Sequence, residues 1–120
     1  AKAESARTGR TIGIYPETKH PSYFRRVGLP LEPPLLAALA AAGWTDRRAP
    51  VFIQSFEVDN LKALKSQTGV RLIQLIAAKG QSADGHDYAA MATPEGLKAV
   101  AAYAAGVGPE KSMIIPRGPD

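Results

Sequence analysis

Apolar runs of strand length recur along this chain with helix-forming segments between them, and that alternation leaves few folds open. Residues 11–17 set Ile12 and Ile14 against Gly13, Tyr15 and Glu17, the period of a strand with two unlike faces. Residues 50–56 hold Val51-Phe52-Ile53-Gln54-Ser55-Phe56, and residues 70–76 are apolar except for Arg71 and Gln74. Nearly continuous runs of that kind suit parallel strands covered on both faces. Residues 106–109 read as a short fourth strand. Glu32-Pro33-Pro34 opens a helix with Leu35, Leu36 and Leu39 as its buried stripe and Gly43 as its end, since first-turn amides lack intrahelical partners and tolerate proline. Asp59 or Asn60 caps a second helix, which carries Leu61 and Leu64 and closes at Gly69. Thr93-Pro94-Glu95 starts a third, with Leu97, Val100, Ala101 and Ala104 facing inward. Residues 16–34 and 78–92 read as long loops, and Met113-Ile114-Ile115 as a final apolar patch.

The resulting order, β-α-β-α-β-α-β, predicts an α/β fold with a parallel sheet and right-handed crossovers. Two architectures satisfy it: a small open sheet, or a consecutive slice of a (β/α)8 barrel. The chain's 120 residues are too few for a whole barrel, which takes about 250. Residues 1–10 are polar, no methionine starts the chain, and Arg117-Gly118-Pro119-Asp120 is turn-like. Both ends therefore read as cut from something longer.

Composition narrows the partners. Fifteen Lys+Arg against eleven Asp+Glu give +4, with the charges scattered, which favours anionic small ligands over a dedicated nucleic-acid surface. Aromatic residues are only 7%, so platforms for stacking bases are scarce. Without cysteine there is no disulfide, thiolate nucleophile or zinc–cysteine site. No apolar run approaches the roughly 20 residues of a bilayer span, and the N-terminus lacks the apolar core of a signal peptide.

The stretch Ile14-Tyr15-Pro16-Glu17-Thr18-Lys19-His20-Pro21 carries the chemistry. Glu17 and Lys19 are two residues apart at the C-terminal end of a strand, so they project from one face, and parallel α/β folds collect ligands at that end. A carboxylate there can hold a hard divalent cation and an ammonium can neutralise a phosphate. The plain alternative is a solvated Glu–Lys pair. Gln54 and Gln74 are polar residues in apolar strands; each either lines the site or makes a structural hydrogen bond. His20 reads as a turn residue, Arg25-Arg26 as a solvated basic loop, and His86 with Asp84 and Asp87 as an imitation of a metal cluster without a scaffold.

The run Ile12-Gly13-Ile14-Tyr15-Pro16-Glu17-Thr18-Lys19-His20-Pro21 resembles the third-strand motif of glycerophosphodiester phosphodiesterases. Phe52-Ile53-Gln54-Ser55-Phe56-Glu57 with Asn60-Leu61 is similar to that family's fourth strand and following helix. Leu72-Ile73-Gln74-Leu75-Ile76 is similar to its fifth strand, and Tyr103-Ala104-Ala105-Gly106-Val107-Gly108-Pro109 to its sixth. The likeness covers about residues 10–116 and is nearest the larger, exported bacterial branch. It implies a (β/α)8 barrel of which residues 1–120 form about strands three to six. It further implies hydrolysis of a small glycerophosphodiester to an alcohol and glycerol 3-phosphate, with calcium or magnesium as cofactor. By the same likeness Glu17 is the metal ligand and Lys19 contacts the substrate phosphate; Gln54 and Gln74, from their place in apolar strands, are further substrate-binding candidates. A periplasmic or secreted location follows from the branch alone. The family's His-Arg-Gly strand, its second-strand acidic ligands and its catalytic histidines have no counterpart here; His20 and His86 are not those histidines. A non-catalytic barrel that keeps the cleft as a phosphate- or glycan-binding module is the rival, and a fragment with bare sheet edges is expected to self-associate.

Overall fold

The computed structural model describes residues 1–116 and residue 118, so Arg117, Pro119 and Asp120 of the turn-like end lie outside the described residues. In chain order the elements are α1 (Lys2–Thr8), α2 (Pro21–Arg26), α3 (Glu32–Ala41), β1 (Phe52–Ser55), α4 (Val58–Lys65), β2 (Arg71–Ile76), α5 (Tyr88–Met91), α6 (Pro94–Ala101), β3 (Gly106–Pro109) and a 3-10 turn, Lys111–Met113. The strands form one parallel sheet in the order β1-β2-β3, with Ile53 opposite Leu72 and Gln74 opposite Val107.

The expected first strand is present as an extended segment with two parallel bridges, Ile14 to Val51 and Glu17 to Gln54. Its ladder runs Ile14 N to Pro50 O, Phe52 N to Ile14 O, Gln54 N to Pro16 O and Thr18 N to Gln54 O, at 2.9–3.2 Å. The missing rung is the one Pro16 would donate, because proline has no N–H. One residue breaks a regular strand into two bridges.

The core lies on a single face of the sheet. Val51 just before β1, Ile53 in β1, and Leu72 and Ile76 in β2 are buried with Leu39 of α3, Leu61 and Leu64 of α4, and Val100 of α6. The alternate residues Phe52, Gln54, Arg71, Ile73 and Leu75 are only half-buried. The expectation of cover on both faces therefore fails within the described residues. This mixed α/β arrangement, a parallel sheet with helices on one side, is compatible with a piece of an α/β barrel wall.

Several local expectations are corrected. The presumed loops contain short helices, α2 and α5. Helix α4 starts at Val58, ahead of the expected cap, and ends at Lys65, short of Gly69; Asp84 Oδ2 accepts from the Asp59 amide in its first turn at 2.7 Å, where no local side chain caps. In α6 only Val100 is buried; Leu97 and Ala101 are exposed. Thr93 does cap α6, its Oγ1 accepting from the Gly96 amide at 3.0 Å. The patch Met113-Ile114-Ile115 is exposed.

Candidate functional site

The rim where the parallel strands end is hollowed into a cleft of about 350 Å³. The exit of the extended segment (Glu17 to Pro21), the exit of β1 (Ser55, Phe56, Glu57), Ala77 after β2, and Ala83 and Tyr88 from the following loop line it.

Thr18 anchors the segment that bears Glu17 and Lys19. Its amide donates to Gln54 O at 3.0 Å, its carbonyl accepts from Ser55 Oγ at 3.3 Å, and its Oγ1 donates to Asn60 Oδ1 at 2.6 Å. Thr18 is buried while Glu17 and Lys19 are exposed, the alternation a strand imposes. The Asn60 amide nitrogen then donates to Glu32 Oε1 at 2.7 Å, and Arg25 donates to the same oxygen at 2.6 Å. Burial alone would raise the Glu32 carboxyl, but hydrogen bonds from Asn60, its own backbone and Arg25 together hold it below the usual carboxylate range. Helix α2 is pinned from its other end, where the Ser22 amide donates to Glu57 Oε2 at 3.0 Å. His20, at φ 54°, makes the sharp turn into α2; histidine is enriched in that left-handed region among non-glycine residues.

Among the described residues, neither the Glu17 carboxylate nor the Lys19 ammonium has a side-chain hydrogen bond or ion pair with another residue. Glu17 and Lys19 form no ion pair with each other among the described residues, and both side chains are exposed, a state that a solvated pair and an open anionic oxygen donor beside a cation share.

The two glutamines part company. Gln54 is half-buried on the open face and donates from Nε2 to Tyr15 O at 3.0 Å, which leaves its Oε1 unengaged among the described residues. Gln74 is fully buried on the helix side. Its Nε2 donates to Phe56 O and Leu75 O at 3.0 Å, and its Oε1 accepts from Tyr103 Oη at 2.8 Å. Burial pushes the Tyr103 phenol up to about 12, so it remains the donor of that bond. Register explains the split: Ser55, not Gln54, pairs with Gln74, so the two amides fall on opposite faces. The structural hydrogen bond is what Gln74 makes.

The loop cluster also differs from expectation. Asp84 and His86 are joined by Asp59 of α4, with ligand atoms all within 4.8 Å of one another. Asp87 instead caps α5, accepting from the Ala90 amide at 3.1 Å. His86 Nε2 lies 3.2 Å from Asp59 Oδ1. The triad offers mixed oxygen and nitrogen donors, and its internal hydrogen bonds clamp the 78–92 loop onto α4, which holds Tyr88 over the cleft. Sequence reading missed Asp59 because it is remote in the chain. It missed Glu57 because no local pattern marks a carboxylate that buries itself after a strand. Thr18 was discoverable, since the period that sends Glu17 and Lys19 outward sends Thr18 in.

No family model matches the chain. A glycerophosphodiester phosphodiesterase of Treponema pallidum (strain Nichols) is 32% identical over 124 aligned residues, which cover 90% of this chain and 35% of that protein. The chain is a partial relative of the glycerophosphodiester phosphodiesterases. A second glycerophosphodiester phosphodiesterase, from Haemophilus influenzae, is 30% identical over 124 aligned residues, covering 90% of this chain and 34% of that protein. The chain thus spans about a third of the length of these curated phosphodiesterases. No helix among the described residues is long and apolar enough to cross a membrane.

Proposed function

We propose that the protein hydrolyses glycerophosphodiesters in a metal-dependent reaction, releasing an alcohol and glycerol 3-phosphate, and that this chain forms about strands three to six of its (β/α)8 barrel. The observation that supports this reading is the uncommitted pair Glu17 and Lys19 at the strand-end cleft of a chain related to two phosphodiesterases. The residues present fit a hard divalent cation, calcium or magnesium: Glu17 offers an exposed, unshared carboxylate, and such ions take oxygen ligands. When bound, the cation supplies positive charge to the phosphodiester oxygens.

Glu17 holds the cation at the rim, and Lys19 binds the substrate phosphate and offsets its charge in the transition state. Gln54, with its free Oε1 on the open face, orients the substrate. Gln74 serves the same site from beneath, by fixing the carbonyls at the β1 exit through its own amide. Proton transfer to the leaving alcohol falls to histidines outside this chain. Export to the periplasm or beyond belongs to the same reading.

The test is release of glycerol 3-phosphate from glycerophosphocholine by the full-length protein, with chelator and with calcium or magnesium restored. Hydrolysis that chelator abolishes and metal restores is expected. Hydrolysis indifferent to chelator refutes the metal dependence. Phosphate binding without hydrolysis leaves a non-catalytic binding module in its place.

A further inference from the structure

Helix α2 ends in a turn that holds apolar side chains out in water. The Leu29 amide donates to Phe24 O at 2.8 Å and the Gly28 amide to Arg25 O at 3.1 Å, with Gly28 at φ 78°. That pair of bonds around a left-handed glycine is a Schellman cap, which often buries the residue after the glycine against the last helical turn. Leu29 instead stands 65% exposed, with Val27 at 50% and Tyr23 at 51%. Main-chain bonds fix the turn, so its apolar side chains are not needed to hold it.

Positive charge gathers at the same place. Residues 18–31 contain Lys19, Arg25 and Arg26 and no acidic residue. Glu32, which closes the stretch, is buried and serves Arg25 and Asn60. Among the described residues Arg26 pairs with no carboxylate; its guanidinium lies over the Tyr23 ring, 5.8 Å from the centroid. Residues 22–31 line none of the main clefts among the described residues, so they form a projection rather than a groove. The bond from the Ser22 amide to Glu57 ties α2 to the β1 exit. That places the projection on the strand-end rim, where the connections of a parallel α/β fold face outward.

We infer that the α2 turn is a docking surface for an anionic lipid bilayer. Exposed aliphatic side chains beside tyrosine and arginine suit the headgroup level: the apolar groups enter the acyl boundary and the cations meet lipid phosphates. A protein partner needs a recess shaped to such a projection, whereas a bilayer accepts one of any outline. Docking sets the strand-end rim, and the cleft within it, close to the membrane surface. The inference requires no reaction, so it stands or falls apart from the phosphodiesterase reading.

The experiment is co-sedimentation of the full-length protein, expressed without lipid attachment, with vesicles of phosphatidylcholine alone and of phosphatidylcholine mixed with phosphatidylglycerol. Binding to the anionic vesicles is expected, weakened by high salt. Arg26→Gln should lower the partition by about five-fold and Leu29→Ser by about ten-fold, both without a fall in melting temperature because both side chains are exposed. No preference for anionic vesicles, or a partition that survives both substitutions, overturns the docking surface. A lower melting temperature for Leu29→Ser with unchanged partition would show that another part of the same protein covers the turn, and would also overturn it. Self-association that Leu29→Ser abolishes, without vesicle binding, would assign the turn to a second copy of the protein instead.

Discussion

Thr18 spends all its polar atoms on holding its neighbours. Thr18→Val removes the hydroxyl but not the shape, and leaves Asn60 Oδ1 buried without its 2.6 Å donor. An orphaned buried acceptor costs about 1–3 kcal/mol, so the full-length protein should melt several degrees lower in a thermal scan. An unchanged melting temperature would mean that the link holds nothing. Glu32 makes a pH-dependent contribution. Its folded carboxyl is held below its ordinary value, so its stabilisation is full above the unfolded carboxylate range and drains away as pH falls through the folded value. Glu32→Gln should flatten the acid limb of a urea-denaturation series run downward from neutral pH. An acid limb as steep as that of wild type would contradict the charged network. At this scale the sequence showed that Glu17 and Lys19 share a face, because strand period alone decides it. It could not show that Gln54 and Gln74 face apart, because that follows from pairing between strands.

Elements were legible where one local rule sufficed. The strand at residues 106–109 matches β3, and Thr93 caps α6 as its side chain dictates. They were illegible where a remote group intervened. Asp84, 25 residues along the chain, caps the first turn of α4, and only the ladder shows that the lost N–H of Pro16 splits the first strand. The α5–α6 corner gives a sharp prediction. A Cβ on Gly96 would stand 2.1 Å from the Ala90 carbonyl oxygen and 2.7 Å from Met91 Cα. Both are backbone atoms, so the two short helices must separate. Gly96→Ala should destabilise by about 2 kcal/mol in chemical denaturation, the scale of overpacking. A gain in stability from alanine's better helix propensity would show that the corner yields freely.

The whole molecule is one-sided. Helices bury Val51, Ile53, Leu72 and Ile76, while Phe52, Ile73 and Leu75 on the other face stay half-open, with Tyr15 packed edge to face against Phe52 at 6.4 Å. A complete barrel fills such a face with side chains from its other strands and pairs both sheet edges. Expressed alone, residues 1–120 should therefore self-associate in size-exclusion chromatography with light scattering and release no glycerol 3-phosphate. A clean, active monomer would overturn the barrel-wall reading. The role of Glu17 is the claim on which the function turns, and a calcium titration of the full-length protein and its Glu17→Gln variant tests it most directly. Loss of one anionic ligand should weaken calcium binding by at least about ten-fold and cut hydrolysis by orders of magnitude, with partial recovery at high calcium. Equal calcium affinity and equal activity in the two proteins would contradict it.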